Sequence, residues 1–202
     1  MRLILVRNGH AERHVGEEGD NLYLTDLGRR QVEALGQWFQ ENETGINSLV
    51  STPLRRARET TSILSRYVGV PVSVDDDLRE TDRDLLMELP RLVHPADNGP
   101  HYYILPHDNY YQRFTEQTRR VLNRLLENPS SMRTVIVVCH GGTASTMLRM
   151  LLKCHHLHIW MHNTAMHYLT WQDGLWELRG VNYTPHLSTD MLTGWHGISK
   201  RG

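Results

Sequence analysis

Residues 3–12 read Leu-Ile-Leu-Val-Arg-Asn-Gly-His-Ala-Glu, and the rest of the fold can be worked out from this stretch. Its four apolar residues, two of them β-branched, predict a strand that is buried on both faces. The strand breaks at Arg7 into a short polar loop that contains Gly9. In open α/β sheets the ligand crevice lies just beyond the carboxyl ends of the strands, so an arginine here is well sited to meet an anion. A surface arginine that follows a strand is the alternative, and other segments decide between the two.

The composition of the 202-residue chain limits the classes of protein to which it can belong. The length suits one α/β domain with a core that needs no disulfide or metal support. With 22 basic and 23 acidic side chains the formal net charge is −1, which gives no broad attraction to nucleic acid or to an anionic membrane. The apolar runs are too short to span a bilayer, and the N-terminus enters a strand without a cleavable small-residue site, so we expect a cytoplasmic protein.

Cysteines and histidines give no pattern of a disulfide framework or a metal site. Cys139 and Cys154 are the only cysteines, and we expect both to be buried thiols. Histidine is frequent, at 13 residues, and several cluster in residues 155–167. Their spacing lacks the partners of a recognisable metal site, so we predict neither a metal nor another cofactor.

Strand and helix alternate along the first third of the chain. Thr25 is a plausible N-cap for a helix whose apolar residues recur at helical spacing. A second strand, over 46–51, leads into a helix with Pro53 in its first turn. A third strand, over 70–74, contains Pro71 and therefore lies at an edge of the sheet. This alternation predicts a three-layer α/β/α sandwich with a mostly parallel central sheet.

The second helix begins with Arg55, Arg56 and Arg58. Cations at a helix N-terminus oppose the helix dipole, so local stability does not favour them. An anion held between these side chains and the exposed backbone N–H groups would explain them. A solvated basic turn is the alternative.

The segment from about 81 to 111 interrupts the alternation. It carries four prolines together with several histidines and tyrosines. A stretch this long in a compact domain is usually functional or mobile, and we interpret it as a cap-like insertion that covers a site and selects substrate. A disordered loop is the alternative. Glu80, at the start of this insertion, is placed to protonate a leaving oxygen.

Residues 134–139, Thr-Val-Ile-Val-Val-Cys, repeat the pattern of the opening strand and stop at His140 and two glycines. A helix follows, and a hairpin around Asp173 and Gly174 closes the patterned part of the chain. Strand ends gather at one edge of such a sheet, so Arg7, Arg56 and His140 should meet in one crevice. Two guanidinium groups and an imidazole suit a compact, multiply charged anion such as a phosphoryl group, without a bound metal.

Four ordered motifs resemble those of the histidine phosphatase superfamily, the phosphoglycerate-mutase-like proteins. Residues 22–31, Leu-Tyr-Leu-Thr-Asp-Leu-Gly-Arg-Arg-Gln, resemble its Leu-Thr-x-x-Gly-x-x-Gln helix start. Residues 52–60, Thr-Pro-Leu-Arg-Arg-Ala-Arg-Glu-Thr, resemble its Ser-Pro-Leu-x-Arg-Ala-x-x-Thr turn and identify Arg56 as the matching arginine. Residues 78–80 and 138–142 resemble the segments that bear the family's acid and second histidine. The resemblance covers nearly the full chain, here taken as one domain over 1–202.

The resemblance implies metal-independent hydrolysis of a small phosphorylated metabolite through a phosphohistidine. A mutase that returns the phosphoryl group to a substrate is the nearest enzymatic alternative, and assembly into a homo-oligomer stays open. The family's glycine-containing pattern after the acid is not visible beyond Glu80. The implied site residues are Arg7, Arg56 and His140 around the phosphoryl oxygens, Glu80 as general acid, Gly141 as a backbone donor, His14 as a further binding candidate and Asn8 at the position of the nucleophile.

Asn8 is a departure from the family pattern, which has the nucleophilic histidine at this position. An amide nitrogen has its lone pair delocalised into the carbonyl and is no nucleophile, whereas neutral imidazole is. The chain is therefore expected to bind its phosphorylated ligand but scarcely to hydrolyse it. The other motifs are intact, which favours an active phosphatase inactivated by substitution at Asn8. A natural, non-catalytic phospholigand-binding protein is the alternative from another class. His10, two residues along the loop, is expected to point elsewhere.

Overall fold

The structure, a computed structural model, describes residues 1–12, 22–81, 84–92, 94, 103–104, 110–127 and 133–193. Its helices are α1 (Asp26–Asn42), α2 (Arg55–Val68), α3 (Leu85–Glu88), α4 (Tyr110–Leu126) and α5 (Gly141–Leu151), with 3₁₀ turns at Asp76–Leu78 and Thr189–Met191. Its strands are β1 (Arg2–Arg7), β2 (Ala11–Glu12), β3 (Tyr23–Leu24), β4 (Ile46–Ser51), β5 (Val72–Val74), β6 (Arg91–Leu92), β7 (Tyr103–Ile104), β8 (Thr134–Cys139), β9 (Met166–Gln172) and β10 (Leu175–Tyr183).

The central sheet has six strands in the order β10-β9-β1-β8-β4-β5. β1, β8, β4 and β5 run parallel, and the hairpin β9–β10 adds two antiparallel strands beside β1. Arg7 of β1 pairs in register with Cys139 of β8. Because the two strands are parallel neighbours, Asn8 and His140 leave the sheet side by side at its carboxyl edge.

Alternate residues of the central strands supply two separate cores. Leu3 and Leu5 belong to the core between the sheet and the α4–α5 side, whereas Ile4 and Val6 belong to the core on the α1–α2 side. Side chains alternate between faces along a strand, so a strand that is apolar throughout must be covered on both sides. Helices on both faces of a mostly parallel sheet confirm the predicted three-layer α/β/α architecture.

Local capping explains where the helices begin, and one boundary corrects the prediction. Thr25 is the N-cap of α1, and its Oγ1 accepts a hydrogen bond from the Gly28 N–H at 3.0 Å. α2 begins at Arg55 with Leu54 as its N-cap, so Pro53 precedes the helix and is not in its first turn as predicted. The edge strand is shorter than predicted and begins after Pro71, at Val72.

The predicted insertion includes regular structure at its end. Helix α4 begins at Tyr110, so Tyr110 and Tyr111 are helical, and Tyr111 is buried. Positions 82–83, 93, 95–102 and 105–109 of the insertion lie outside the described residues. Cys139 is buried as expected, whereas Cys154 is only half-buried. Within the described part of the chain, no helix is long and apolar enough to cross a membrane.

Candidate active site

Asn8 and His140 form a hydrogen-bonded pair at the carboxyl edge of the sheet. The Asn8 backbone N–H donates to the Cys139 carbonyl at 2.8 Å, which fixes the loop after β1 against the end of β8. The Asn8 Nδ2 donates to the Gly9 carbonyl at 2.8 Å, so its Oδ1 faces His140. Because that oxygen can only accept, we assign the proton to His140 Nδ1, which lies 2.9 Å away. The pair is 5% and 1% exposed, respectively.

His140 is held in its neutral form. Its Nε2 lies 3.0 Å from Thr52 Oγ1, and that oxygen already accepts the Leu54 N–H at 3.0 Å, which leaves the hydroxyl proton for the imidazole. Burial lowers the pKa of His140 well below its usual value, and the nearby Arg56 and Arg7 lower it further. Sequence reasoning missed Thr52, although its position just after strand β4 is itself a signal.

Two guanidinium groups face the same space as His140. Arg7 ends β1, and its Nη1 donates to the Met161 carbonyl at 2.6 Å. Burial lowers the pKa of Arg7, with Glu80 opposing this and Arg56 adding to it. Arg56 lies in the first turn of α2 and is 7% exposed. Positive charge is therefore concentrated beside a neutral imidazole, which suits an anionic ligand.

The three arginines at the start of α2 have separate roles. The guanidinium of Arg55 lies 3.5 Å from the centre of the Tyr23 ring, and its Nε donates to Glu59 at 2.8 Å. Arg56 is the one of the three that lines the cavity at the strand ends, whereas Arg58 is exposed and lines a separate surface groove. The alternative of a solvated basic turn holds for Arg58 but not for the buried Arg56.

Glu80 lies across the cavity, against the start of α5. Its Oε1 accepts the Thr81 N–H and its Oε2 accepts the Gly142 N–H, both at 3.0 Å. Burial raises the pKa of the Glu80 carboxyl, and the two N–H groups and the arginines oppose this without reversing it. A Cβ atom at Gly142 would collide with Glu80 Oε1, so only glycine allows this close approach. A carboxyl group with a raised pKa is the type that can act as a general acid near neutral pH.

A cavity of about 570 Å³ brings the predicted residues together. His14 lies outside the described residues. His10 lines the cavity, but its ring Nδ1 lies 2.9 Å from Thr25 Oγ1 at the start of α1. The residues that line this cavity are Arg7, Asn8, His10, Ala11, Leu22, Arg56, Glu80, His140, Gly141, Asn163, Leu192 and Thr193.

Only one member of the polar network beneath the cavity had a signal in the sequence, since Gln31 ends the motif over residues 22–31 whereas Asn163 and Thr193 belong to no motif. The Asn163 Nδ2 donates to the Asn8 carbonyl at 2.9 Å, and its Oδ1 accepts the Thr193 hydroxyl at 2.7 Å. Gln31 of α1 accepts the His10 N–H at 2.9 Å and donates to Thr193 Oγ1 at 3.2 Å. The contacts from Asn163 to Asn8 and from Gln31 to Thr193 join residues more than 100 positions apart, so local pattern could not indicate them. They fix the backbone of the loop that carries Asn8.

The histidines of the 155–167 stretch have other partners. His155 Nδ1 lies 2.9 Å from the Tyr111 hydroxyl, His162 Nδ1 lies 2.7 Å from the Thr193 carbonyl, and His167 Nδ1 accepts the Asn182 N–H at 3.2 Å. Among the residues that the structure describes, no three His, Cys, Asp or Glu side chains form a group that could hold a metal ion.

Comparison with known proteins adds relatives by sequence and by fold. The chain is 28% identical over 204 residues to the bifunctional protein Rv2228c of Mycobacterium tuberculosis (strain ATCC 25618 / H37Rv), matching 92% of this chain but only 55% of that protein. It is 25% identical over 199 residues to the Probable phosphoglycerate mutase GpmB of Citrobacter koseri, with 89% of each chain covered. The native structure of mycobacterial glucosyl-3-phosphoglycerate phosphatase Rv2419c shares the fold, with a TM-score of 0.65 at 24% identity, covering 90% of this chain and 98% of that one.

A family profile covers almost the whole folded region. The histidine phosphatase superfamily (branch 1) matches residues 3–184, which extend from β1 to just beyond β10 and include the loops after β1, β4 and β8. Together with the α/β/α fold, this match shows that the chain belongs to the histidine phosphatase superfamily.

Proposed function

We propose that this cavity binds a small phosphomonoester and is built to hydrolyse it through a phosphohistidine at position 8, a step that Asn8 prevents in the present chain. The observation that supports the proposal is the convergence of four groups opposite Asn8. Arg7, Arg56, neutral His140 and the carboxyl of Glu80 all line one cavity at the carboxyl edge of the sheet. Their charges suit phosphoryl transfer, which depends on positioning and on neutralising the phosphoryl oxygens.

The two arginines supply the positive charge that a metal would otherwise provide. A phosphoryl group has oxygens for several donors, and guanidinium groups bind such oxygens with paired N–H bonds. The N-terminus of α5 begins at Gly141, where backbone N–H groups lack partners within the helix. Gly141 therefore adds a neutral donor on the same side as His140.

A histidine at position 8 would fit the contacts that Asn8 makes. Nδ2 of asparagine and Nδ1 of histidine are each separated from Cα by the same number of bonds, so an imidazole here could donate Nδ1–H to the Gly9 carbonyl as Asn8 does. That hydrogen bond fixes the tautomer in which Nε2 carries a free lone pair.

The reaction then has two displacements at phosphorus. The imidazole Nε2 attacks, an N–P bond forms, the P–O ester bond breaks, and the leaving oxygen takes the proton of Glu80. In the second step water attacks phosphorus, gives its proton to the Glu80 carboxylate, and the N–P bond breaks to release phosphate. The raised pKa of Glu80 is consistent with both duties.

Asn8 disables this reaction in two ways. Its amide is not nucleophilic, and its Oδ1 accepts a hydrogen bond from the Nδ1–H of His140, a donor that would otherwise be available to a phosphoryl oxygen. The intact arginines, acid and second histidine favour an active phosphatase whose nucleophile has been substituted. Asn8 itself supports the second candidate, a natural phospholigand-binding protein. The name of the GpmB relative keeps a phosphoglycerate-mutase-type transfer as the enzymatic alternative.

Restoring the nucleophile tests the proposal. We expect Asn8→His to hydrolyse p-nitrophenyl phosphate in the presence of a chelator at a rate on the order of 10⁴ or more above the parent chain. The restored protein should also acquire an acid-labile phosphoryl label during turnover, because an N–P bond is hydrolysed in acid.

Asn8→Ala is the matched control, since it removes the amide without supplying a nucleophile and should stay inert. If Asn8→His and the parent are equally inert toward this ester and a panel of small phosphates, the hydrolytic proposal is wrong. Tight binding of those phosphates by both proteins would then support the phospholigand-binding protein.

A further inference from the structure

A second lobe adjoins the cavity at the strand ends and has its own chemistry. It encloses about 380 Å³ and shares Arg7, Glu80 and Gly141 with the main cavity. A ligand held at the phosphoryl position therefore has space on this side for the rest of the molecule. The lobe has an apolar wall, formed by Leu85, Leu86, Ile159, Trp160 and Met161.

One face of α5 forms the polar wall of this lobe. Gly142, Ser145 and Arg149 all line it and lie three and seven residues apart, which is the spacing of one helix face. The stripe begins where the N-terminus of α5 meets the phosphoryl position and ends at a cation. The two ends of the lobe thus both carry positive charge.

Arg149 is a buried cation that has no anionic partner among the described residues. It is 1% exposed, and its Nε and Nη2 donate to Tyr111 Oη at 3.1 Å and Thr146 Oγ1 at 2.7 Å. Its Nη1 donates to the Leu157 carbonyl at 3.3 Å. All three acceptors are neutral, and among the described residues no carboxylate lies within ion-pair distance of Arg149. A guanidinium has five N–H groups, so two remain beyond these three contacts.

An unpaired buried charge is costly, and a ligand that brings the opposite charge relieves that cost. Burial lowers the pKa of Arg149, but guanidinium stays protonated at any physiological pH. Asp84 also lines the lobe, but it is exposed and its Oδ1 accepts the Leu86 N–H at 3.0 Å, so its charge is solvated and partly satisfied.

We propose that Arg149 binds a second anionic group of the substrate, a carboxylate separated from the phosphate by an apolar spacer. This rests on the proposed function, because it takes the phosphoryl group to lie at the strand ends. Seven residues of helix rise about 10 Å, and an arginine side chain points back along its helix by part of a turn, which sets a spacing of roughly 6 to 8 Å between phosphorus and carboxylate. The apolar wall opposite α5 suits the spacer.

The first test needs no substitution, because the parent chain with Asn8 is expected to bind phosphate esters without turnover. Calorimetry would compare inorganic phosphate, 4-carboxyphenyl phosphate and its neutral counterpart 4-carbamoylphenyl phosphate. We expect the carboxylate to bind about 10- to 100-fold more tightly than the carboxamide, the range of a charge-assisted hydrogen bond. Phosphate binding without this preference overturns the second anion site alone, whereas no binding of phosphate or of either ester overturns the proposed function.

Arg149→Gln then shows whether this residue causes the preference. We expect the carboxylate preference to disappear in Arg149→Gln while the affinity for inorganic phosphate is unchanged. Arg179→Gln removes the same charge from an exposed ion pair with Glu177 and should keep the preference. If Arg149→Gln still prefers the carboxylate, the preference comes from the electrostatic field of Arg7 and Arg56 and the proposed role of Arg149 is wrong. The role is also wrong if Arg149→Gln loses affinity for inorganic phosphate as much as for the carboxylate ester. If Arg149→Gln does not fold, Arg149→Lys replaces it, and we expect a reduced preference from a cation that lacks the planar fork.

Discussion

The first loop, at the end of β1 (residues 7–9), and the second loop, which leads from β8 into the first residues of α5 (residues 140–142), are near equivalents that differ at one decisive place. Each lies at the end of a strand whose central residues are buried, each leads from polar side chains into glycine, and the two strands are parallel neighbours in register. In the second loop the residue at the cavity is His140. In the first loop the residue beside it is Asn8, at the position that the proposed function assigns to the nucleophile.

The difference shows that packing and reactivity can be separated at this site. Asn8 keeps the backbone contact with Cys139, the contact with Gly9 and a hydrogen bond with His140. The loop is therefore held in place by a residue whose amide side chain is not a nucleophile. The second loop places two polar groups at the cavity: the His140 side chain lines it, and the Gly142 N–H donates to Glu80.

The largest effect within a restored enzyme is expected at Glu80, the acid held by the second loop. In the Asn8→His background, Glu80→Gln should slow formation of the phosphoryl label in a single turnover by about 10²- to 10⁴-fold with alkyl phosphates, the usual contribution of a general acid. p-Nitrophenyl phosphate should be affected less, because its leaving group needs little protonation. A loss of equal size on both esters would instead assign Glu80 to binding or positioning.

The same variant has a defined pH signature. A general acid must be protonated, so activity should fall as pH rises through the pKa of Glu80, which burial moves upward. Glu80→Gln should remove this fall from the pH–activity profile, whereas Glu41→Gln, a substitution at an exposed position of α1, should keep it. If activity still falls with rising pH in Glu80→Gln, a different titratable side chain causes the fall.

Exchanging the two residues tests how far the loops are equivalent. The double variant Asn8→His/His140→Asn keeps one histidine and one asparagine but reverses their places. We expect kcat about 10²- to 10³-fold below Asn8→His, the cost of one transition-state donor, yet still above the parent chain. The phosphoryl label should still form, because the nucleophile is present.

His140→Asn alone is the control and should be as inert as the parent. If the exchanged protein is also inert and takes no label, His140 does more than contact a phosphoryl oxygen. If it equals Asn8→His in rate, the imidazole of His140 is dispensable and the loops differ only in the nucleophile.

The fold could be predicted from sequence because its signals are local. The apolar runs of β1 and β8, the Thr25 cap and the Asp173-Gly174 turn each act within a few residues; that turn has φ values of 51° and 81°, as a tight hairpin requires. The position of Pro53 was misjudged because proline fits both the first turn of a helix and the extended residues before it.

Apart from Glu80, which was placed by the start of the insertion and by the family resemblance, the site could be predicted where residues lie at or soon after strand ends. Arg7, Arg56 and His140 met that condition, and so did Thr52, which was overlooked. Asn163 gave no signal, because its contact with Asn8 joins positions that are distant in the sequence. Arg149 gave none either, because an arginine in a helical pattern is ordinary unless its burial is known. A buried polar contact between distant segments depends on tertiary packing, which single-sequence patterns do not encode.

The smallest effect concerns the two glycines of the second loop, which look alike in sequence. A Cβ at Gly142 would overlap Glu80 Oε1 and approach Leu85 Cδ1 to 3.1 Å, whereas a Cβ at Gly141 would meet Arg7 Nε at an ordinary 3.6 Å. In the Asn8→His background we therefore expect Gly142→Ala to lower kcat/KM by up to about 10²-fold, the effect of moving a catalytic group by about 1 Å, and Gly141→Ala to change it little. Thermal unfolding of both variants separates displacement of Glu80 from loss of the fold. If Gly141→Ala and Gly142→Ala lower kcat/KM equally, the second loop tolerates no side chain at either position after His140. The contact with Glu80 would then not be the reason that position 142 requires glycine.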